Sequence, residues 1–463
     1  MAAPAVEGEL IFTRHAADCS LPIAKRAWTL LACLPSRSSP VDRSSLLKYS
    51  LFSLARNAAS HHEHWPLAWR SPKPRKHYDA VIIGGGGHGL ATAYYLASNH
   101  GLRNIAVFEK GWLGGGNTGR NTTIVRSNYH LDENAHFYEF SLKLWEGLAQ
   151  DLNFNVMYSA RGVVNLVHSP AEVDAAMRRG NAMRLNGIDA EFLSRDEIAQ
   201  RIPKLDCSND LRFPILGGLL QPRGGTVRHD AVAWGYARAA DARGVDIIQQ
   251  CEVTGIRTVN GAVTGVDTTQ GFIGTPKIGI AVAGHSGRVA AMAGLQLPIE
   301  SHVLQAMVSE PVKPVLDTVV TSGAVHFYVS QSDRGELVMG GDLDFYNSYA
   351  QRGNLPVVEH VVAACLALFP SFGRLKLMRT WGGIMDMTLD GSPIIGKLPV
   401  TGLYMTGGWC YGGFKATPAS GYLLAHTIAH DAPHPLNAAF TLDRFAEGRM
   451  LDEKGAGPYA WAH

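Results

Sequence analysis

The stretch Tyr78 to Glu109 reads YDAVIIGGGGHGLATAYYLASNHGLRNIAVFE. Its apolar run Ala80 to Ile83 predicts a fully buried strand, and glycines follow it at once. Gly84, Gly86 and Gly89 fit G-x-G-x-x-G, and Gly89 leads into a helix through Leu90, Ala91, Ala93 and Leu96. A second apolar run, Ile105 to Phe108, closes on Glu109. The unit therefore spans about thirty residues and puts an acid where the ribose 2′-hydroxyl of a dinucleotide needs it. Each glycine has a physical job: Gly84 permits the tight turn, Gly86 lets the backbone approach a pyrophosphate, and Gly89 lets helix and strand pack closely. The free N–H groups of the helix N-terminus then face the phosphates. A glycine pattern alone would be weak evidence; the full order of strand, turn, helix, strand and acid is what gives it weight.

Composition bounds the rest. With 463 residues, 46% hydrophobic, 18% charged and a net charge of +2, the chain can bury large cores and carries no field that implies nucleic acid. No apolar run approaches the roughly eighteen residues of a membrane span. The cysteines Cys19, Cys33, Cys207, Cys251, Cys365 and Cys410 show no C-x-x-C spacing. Neither a zinc site nor a disulfide framework is expected, and a reducing cytoplasm suits them.

Residues 1–46 lack periodicity. Lys25 and Arg26 before the apolar stretch Ala27 to Leu34 imitate a signal peptide without its A-x-A site, and Glu7, Glu9 and Asp18 count against a transit peptide. An untargeted, poorly ordered extension is expected. Residues 47–78 read as a short amphipathic helix and a proline-punctuated arm, whose His61, His62 and His64 lack partner ligands at metal spacing. Beyond them, residues 79–130 form the first part of a dinucleotide-binding domain, and its glycine-rich loop Gly111 to His130 carries Arg120 and Arg126. Residues 131–216 begin a substrate domain, with Ser194 and Glu197 as a capping box. The cofactor domain is expected to resume over 217–294, where Asp230 is a good N-cap and Asn260-Gly261 a hairpin turn. The substrate domain resumes over 295–377 and the cofactor domain closes over 378–463, with a loop Gly407 to Lys415 before a helix capped by Thr417 with Pro418 at N1. The fold class is α/β: a Rossmann-like domain interleaved with an α+β substrate domain built on a mixed sheet.

The glycine unit, the interleaved domains and a late loop ending Gly-Phe-Lys resemble the glycine oxidase and D-amino-acid oxidase group of FAD proteins. Within that group, IIGGGGHGLATAYYLA, GWLGGGNTGRNTTIVRSNY, RHDAVAWGYARAA, RTWGGIMDMT and GGFKATPASG resemble the β-subunit family of heterotetrameric sarcosine oxidases, over nearly everything from Tyr49 onward. The resemblance implies non-covalent FAD, contacted by Gly87, His88, Glu109, Asn117, Thr122, Ile124, Val253 and Gly413 beside the Gly84, Gly86, Gly89 turn. It implies FMN attached covalently to His229, where a position just before a helix favours the neutral, nucleophilic imidazole. Arg228 stands where the family commonly has lysine, and either cation suits the FMN or a negatively charged reduced ring. Cys410 departs from the family's usual glycine, and local crowding is expected there.

The substrate implied is sarcosine, whose carboxylate calls for fixed cations; Arg126 as a two-pronged fork and Lys415 as a point charge fit. Electrons would pass from FAD to FMN and then to dioxygen. The products would be hydrogen peroxide and glycine, with formaldehyde or a one-carbon unit on tetrahydrofolate. The family's α, γ and δ subunits are the implied partners, with tetrahydrofolate and NAD sites on the α subunit. Neither metal, nucleic acid nor membrane is expected. Two other readings stand beside this one. The FAD subunit of a dimethylglycine or proline dehydrogenase is opposed by His229, and a non-catalytic assembly subunit is opposed by the presence of both Arg126 and Lys415.

Overall fold

The computed structural model describes residues 51–63 and 67–453. The chain divides into two units, Met1–His64 and Trp65–His463. The described part of the first unit is a helix, Leu51–Ala59, with Arg56 in its last turn. The extension 1–46, and His64 of the histidine cluster, lie outside the described residues.

In the second unit a six-stranded sheet runs in the order Ile394–Lys397, Leu403–Gly407, Ile278–Ile280, Ala80–Ile83, Ile105–Phe108, Asp246–Ile248. All its pairings are parallel except that of Ile394–Lys397 with Leu403–Gly407. Parallel strands are covered on both faces, which is why AVII and IAVF are unbroken apolar runs rather than alternating ones. The helices Gly87–Asn99, His229–Asp241 and Thr417–His430 join one core through Leu90, Tyr94, Tyr236, Leu423 and Ile428. A three-stranded antiparallel sheet, Val253–Val259, Ala262–Thr268 and Gly271–Gly274, packs Ile256, Val266 and Ile273 against Val81 and Ile83 on the other side. Its first hairpin turns at Asn260 (φ 50°) and Gly261 (φ 76°), both left-handed, as an Asn-Gly turn requires.

The second layer is an eight-stranded sheet in the order Leu377–Met387, Glu300–Pro311, Glu336–Asn347, Phe327–Gln331, Val319–Ser322, Val163–Val167, Gly217–Gln221, Glu191–Ser194. It is mixed, because Val319–Ser322 runs parallel to Val163–Val167 while its other pairings are antiparallel. The helix Leu355–Leu368 covers it through Val361, Leu368 and Phe369 packed on Val164, Met307 and Leu337. The capping box at Ser194 and Glu197 is formed, with Ser194 N donating to Glu197 Oε2 at 2.7 Å.

Strand pairing moves two expected domain boundaries. Gly217–Gln221 pairs with Val163–Val167 and Glu191–Ser194, so the return to the cofactor domain does not begin at Gly217. A buried apolar run such as GGLLQ reads alike in either sheet, and only its partners decide. Likewise Leu377–Met387 pairs with Glu300–Pro311 along its length, so the boundary at 378 would cut a strand of the larger sheet. Two caps also shift. Arg228 is the N-cap of the His229–Asp241 helix, which makes His229 its first residue; Asp230 binds Arg228 instead of capping. Ala416, not Thr417, precedes the last long helix.

Candidate cofactor and substrate site

The site begins at the C-terminal end of Ala80–Ile83. Gly84 has φ +109°, and a Cβ there would meet the carbonyl oxygen of Ala281 at 2.3 Å, so the turn tolerates no side chain. At Gly89 a Cβ would lie 2.0 Å from the Gly84 carbonyl oxygen, which is the close helix–strand packing the pattern predicts. Gly86 is different: its missing Cβ faces only the Thr118 hydroxyl, at 3.1 Å, and leaves backbone open to a cavity. No side chain caps the helix that follows, while Gly87 N donates to Thr118 Oγ1 at 2.9 Å. The Glu109 carboxylate is held in place by the N–H groups of Gly85 and Gly111, both at 2.8 Å.

A cavity of about 1080 Å³ runs from this turn into the eight-stranded sheet. Its walls bring together Gly84, Gly86, Gly87, His88, Glu109, Asn117, Thr122, Ile124, Val253 and Gly413 with Arg126 and Lys415. Gly89, Arg228 and His229 do not line it. Gly89 is structural; Arg228 and His229 stand apart at the start of their helix.

Arg126 follows the short strand Ile124–Val125, which pairs with Gly225–Thr226. Its guanidinium donates to Asn128 Oδ1 and lies 5.3 Å from the ring centre of Tyr129, which is itself stacked on Tyr138 at 3.8 Å. Lys415 sits in the 3-10 turn Phe414–Ala416 and is buried. Its backbone carbonyl accepts from Ser141 Oγ at 2.7 Å and Trp145 Nε1 at 2.8 Å, and its Nζ donates to the Tyr411 carbonyl at 2.7 Å. Burial, and then the charge of Arg126, hold its ammonium well below the ordinary lysine pKa. A buried lysine and a half-buried arginine lining one cavity favour an anion between them.

Cys410 lines the same cavity with φ +48°, a left-handed conformation that glycine adopts freely and cysteine at a cost of about 1 kcal/mol. Its Sγ accepts from Thr388 N at 3.4 Å and packs among Leu343, Met385 and Met387; burial pushes the thiol up to about 12, so it stays protonated. At the other helix, Arg228 Nε pairs with Asp230 Oδ1 at 2.8 Å. The His229 Nδ1 atom is buried without a hydrogen-bond partner, and burial lowers the ring's pKa.

Three wall residues carry chemistry that sequence reasoning did not single out. Asp386 accepts from Gly408 N at 2.6 Å, and burial lifts its carboxyl to about 6. Arg179, on the helix Pro170–Leu185, has its pKa lowered by burial. Tyr328 presents a hydroxyl raised to about 12 by burial. Asp386 falls within RTWGGIMDMT, where its legible signal is an aspartate set in the apolar run GGIMDM; Arg179 and Tyr328 belong to none of the quoted motifs. Among the described residues, no group of three or more His, Cys, Asp or Glu is placed to hold a metal ion, and no helix is long and apolar enough to cross a membrane.

Residues 79–427 match the family described as FAD dependent oxidoreductase. The chain is 63% identical over 411 residues to sarcosine oxidase subunit beta of Rhizobium meliloti, a match covering 89% of this chain and 99% of that protein. It is 53% identical over 398 residues to sarcosine oxidase subunit beta of an Arthrobacter species, covering 86% and 98% respectively. Among solved structures, L-proline dehydrogenase from P. horikoshii superposes with a TM-score of 0.76 at 25% identity, over 81% of this chain and 99% of that one. This chain belongs to the FAD-dependent oxidoreductase family, in the group of the sarcosine oxidase β subunits.

Proposed function

We propose that the chain is the β subunit of a heterotetrameric sarcosine oxidase and oxidises the N-methyl group of sarcosine. The observation that carries this reading is the pair of cations, Arg126 and Lys415, on the wall of the cavity that opens from the glycine turn. Arg126 offers two parallel N–H groups to a carboxylate, with its plane supported by Tyr129. Lys415, whose charged form a carboxylate favours against burial and Arg126, is the second point of attachment. Two fixed points on a molecule this small leave the N-methyl carbon little freedom, which is the orientation the reaction needs.

The residues present fit FAD. The uncapped Gly87–Asn99 helix and the open backbone at Gly86 suit a pyrophosphate. Glu109 suits a ribose hydroxyl, and Asn117, Thr122, Ile124, Val253 and Gly413 would hold the remainder. When bound, FAD supplies the acceptor for the hydride equivalent. His229 fits covalent FMN: its buried Nδ1 is unpaired and its ring is kept neutral, as a nucleophile must be. FMN there would supply the flavin that reacts with dioxygen, with hydrogen peroxide as product. Hydrolysis of the imine would give glycine and formaldehyde, or the one-carbon unit would go to tetrahydrofolate. The α, γ and δ subunits, with tetrahydrofolate and NAD sites on α, complete the reading, in the cytoplasm.

Acid precipitation tests it directly. Yellow colour left in the pellet identifies a covalent flavin, and FAD in the supernatant a second, dissociable one. His229→Asn is expected to lose the covalent flavin and keep FAD. Sarcosine should still bleach that FAD anaerobically while peroxide formation collapses. If the variant consumes oxygen at the parent rate, or the parent carries no covalent flavin, a dehydrogenase acting on dimethylglycine or proline replaces this reading.

A further inference from the structure

His88 lies in the first turn of the Gly87–Asn99 helix and lines the cofactor end of the cavity. Its ring is engaged at both nitrogens. Nε2 is 2.7 Å from the Gly413 carbonyl oxygen and Nδ1 is 2.7 Å from Ser420 Oγ, which in turn is 2.8 Å from Thr406 Oγ1. A carbonyl can only accept, so Nε2 carries the hydrogen and Nδ1 accepts from Ser420, whose oxygen accepts from Thr406. Every hydrogen bond in this chain is thereby oriented. It requires a neutral imidazole, and burial provides one by lowering the ring to about 4. Trp409, 4.8 Å away between ring centres, packs against it.

The Gly413 carbonyl also accepts from Ala416 N at 3.1 Å and so opens the 3-10 turn that holds Lys415. One side chain thus ties the turn expected to meet the FAD pyrophosphate to the turn that presents the substrate cation. We propose that His88 is a positioning residue which holds the Lys415 turn in the geometry that grips a carboxylate, and so couples the cofactor end of the cavity to the substrate end. The proposal rests on the reading of Lys415 as a carboxylate ligand, and on nothing about which amine is oxidised.

Three variants of the full chain, loaded with FAD, test it. His88→Leu removes both hydrogen bonds. His88→Gln keeps a donor for the carbonyl and an acceptor for the serine. Ser420→Ala leaves the ring but frees its tautomer. The readouts are the FAD dissociation constant, by flavin fluorescence, and the constant for acetate, by perturbation of the flavin spectrum. Acetate probes the carboxylate grip without turnover. The apparent sarcosine constant in anaerobic reduction is read beside them, and failure of the parent to bleach with sarcosine would count against the substrate reading alone.

His88→Leu is expected to raise the acetate constant at least tenfold and to weaken FAD binding, with His88→Gln restoring both to within about threefold of the parent. Ser420→Ala should give an intermediate rise. A His88→Leu protein with the parent's acetate constant overturns the proposal, as does equal damage in the Leu and Gln variants. Should His88→Leu not fold, a parent-like acetate constant in Ser420→Ala overturns it instead.

Discussion

Something negative beside Lys415 favours its charged form, which burial and Arg126 disfavour. A carboxylate thus binds best where the lysine is protonated. Affinity for a carboxylate should therefore fall as pH rises through the pKa of the free lysine. Lys415→Met removes that slope; Arg126→Gln keeps it. Titrating the flavin spectrum with acetate between about pH 6 and about pH 9 separates the two. Both variants should retain FAD and should slow its reduction by sarcosine at least tenfold, about 1.4 kcal/mol of lost transition-state stabilisation. Parent-like reduction in both would remove them from the substrate site.

At the scale of elements, the strand–turn–helix join should break at one methyl group. Gly89→Ala sets a Cβ 2.0 Å from the Gly84 carbonyl oxygen, so the helix must lift from the strand, at a cost of about 1–3 kcal/mol or more. Gly287→Ala, in the short helix Ser286–Ala291 with open space around it, should be neutral or stabilising by up to about 1 kcal/mol. Thermal melts with and without added FAD check this, and indistinguishable melts would contradict the packing. This join was legible in the sequence because its determinants are local: apolar runs, glycine spacing and an acid in register. The two cations were singled out through motifs in loops beside that unit. What depends on strand partners was not legible. Gly217 reads as the return to the cofactor domain, yet Gly217–Gln221 pairs within the larger sheet, and Asp386 gains its place only when Leu377–Met387 and the Gly407–Lys415 loop come together. The link from His88 to Gly413 spans 325 residues of chain and leaves no trace in local pattern.

Over the whole molecule, half-buried histidines should make the fold acid-sensitive. His88, His100, His285 and His434 are each lowered to about 4, chiefly by burial. The folded state thus binds fewer protons than the unfolded one between about pH 6.5 and about pH 4; their contribution is complete above that window and is lost as pH falls through it. Asp386, raised to about 6, acts in the opposite sense and offsets part of the loss. All four histidines are partly exposed, which also tempers it. The neighbouring His426 and His430 rings, 5.9 Å and 5.1 Å from that of His100, also oppose its protonation. Urea unfolding at about pH 7, 6 and 5 should show stability falling with acid, with net proton uptake on unfolding. A flat profile would mean that these rings are solvated.

The order of strands in the smaller sheet also sets a timetable. Ile278–Ile280 lies between Ala80–Ile83 and Leu403–Gly407, so a chain still on the ribosome has the glycine turn long before it has the strand that leads to Lys415. At about 5–20 residues per second, the interval from Phe108 to Gly407 lasts on the order of 15–60 s. Throughout it Ile278–Ile280, once made, has an open edge, and the wall that bears Gly413 does not yet exist. A finished dinucleotide site therefore waits for the strand Leu403–Gly407 and the loop that follows it, however early the glycine turn is made.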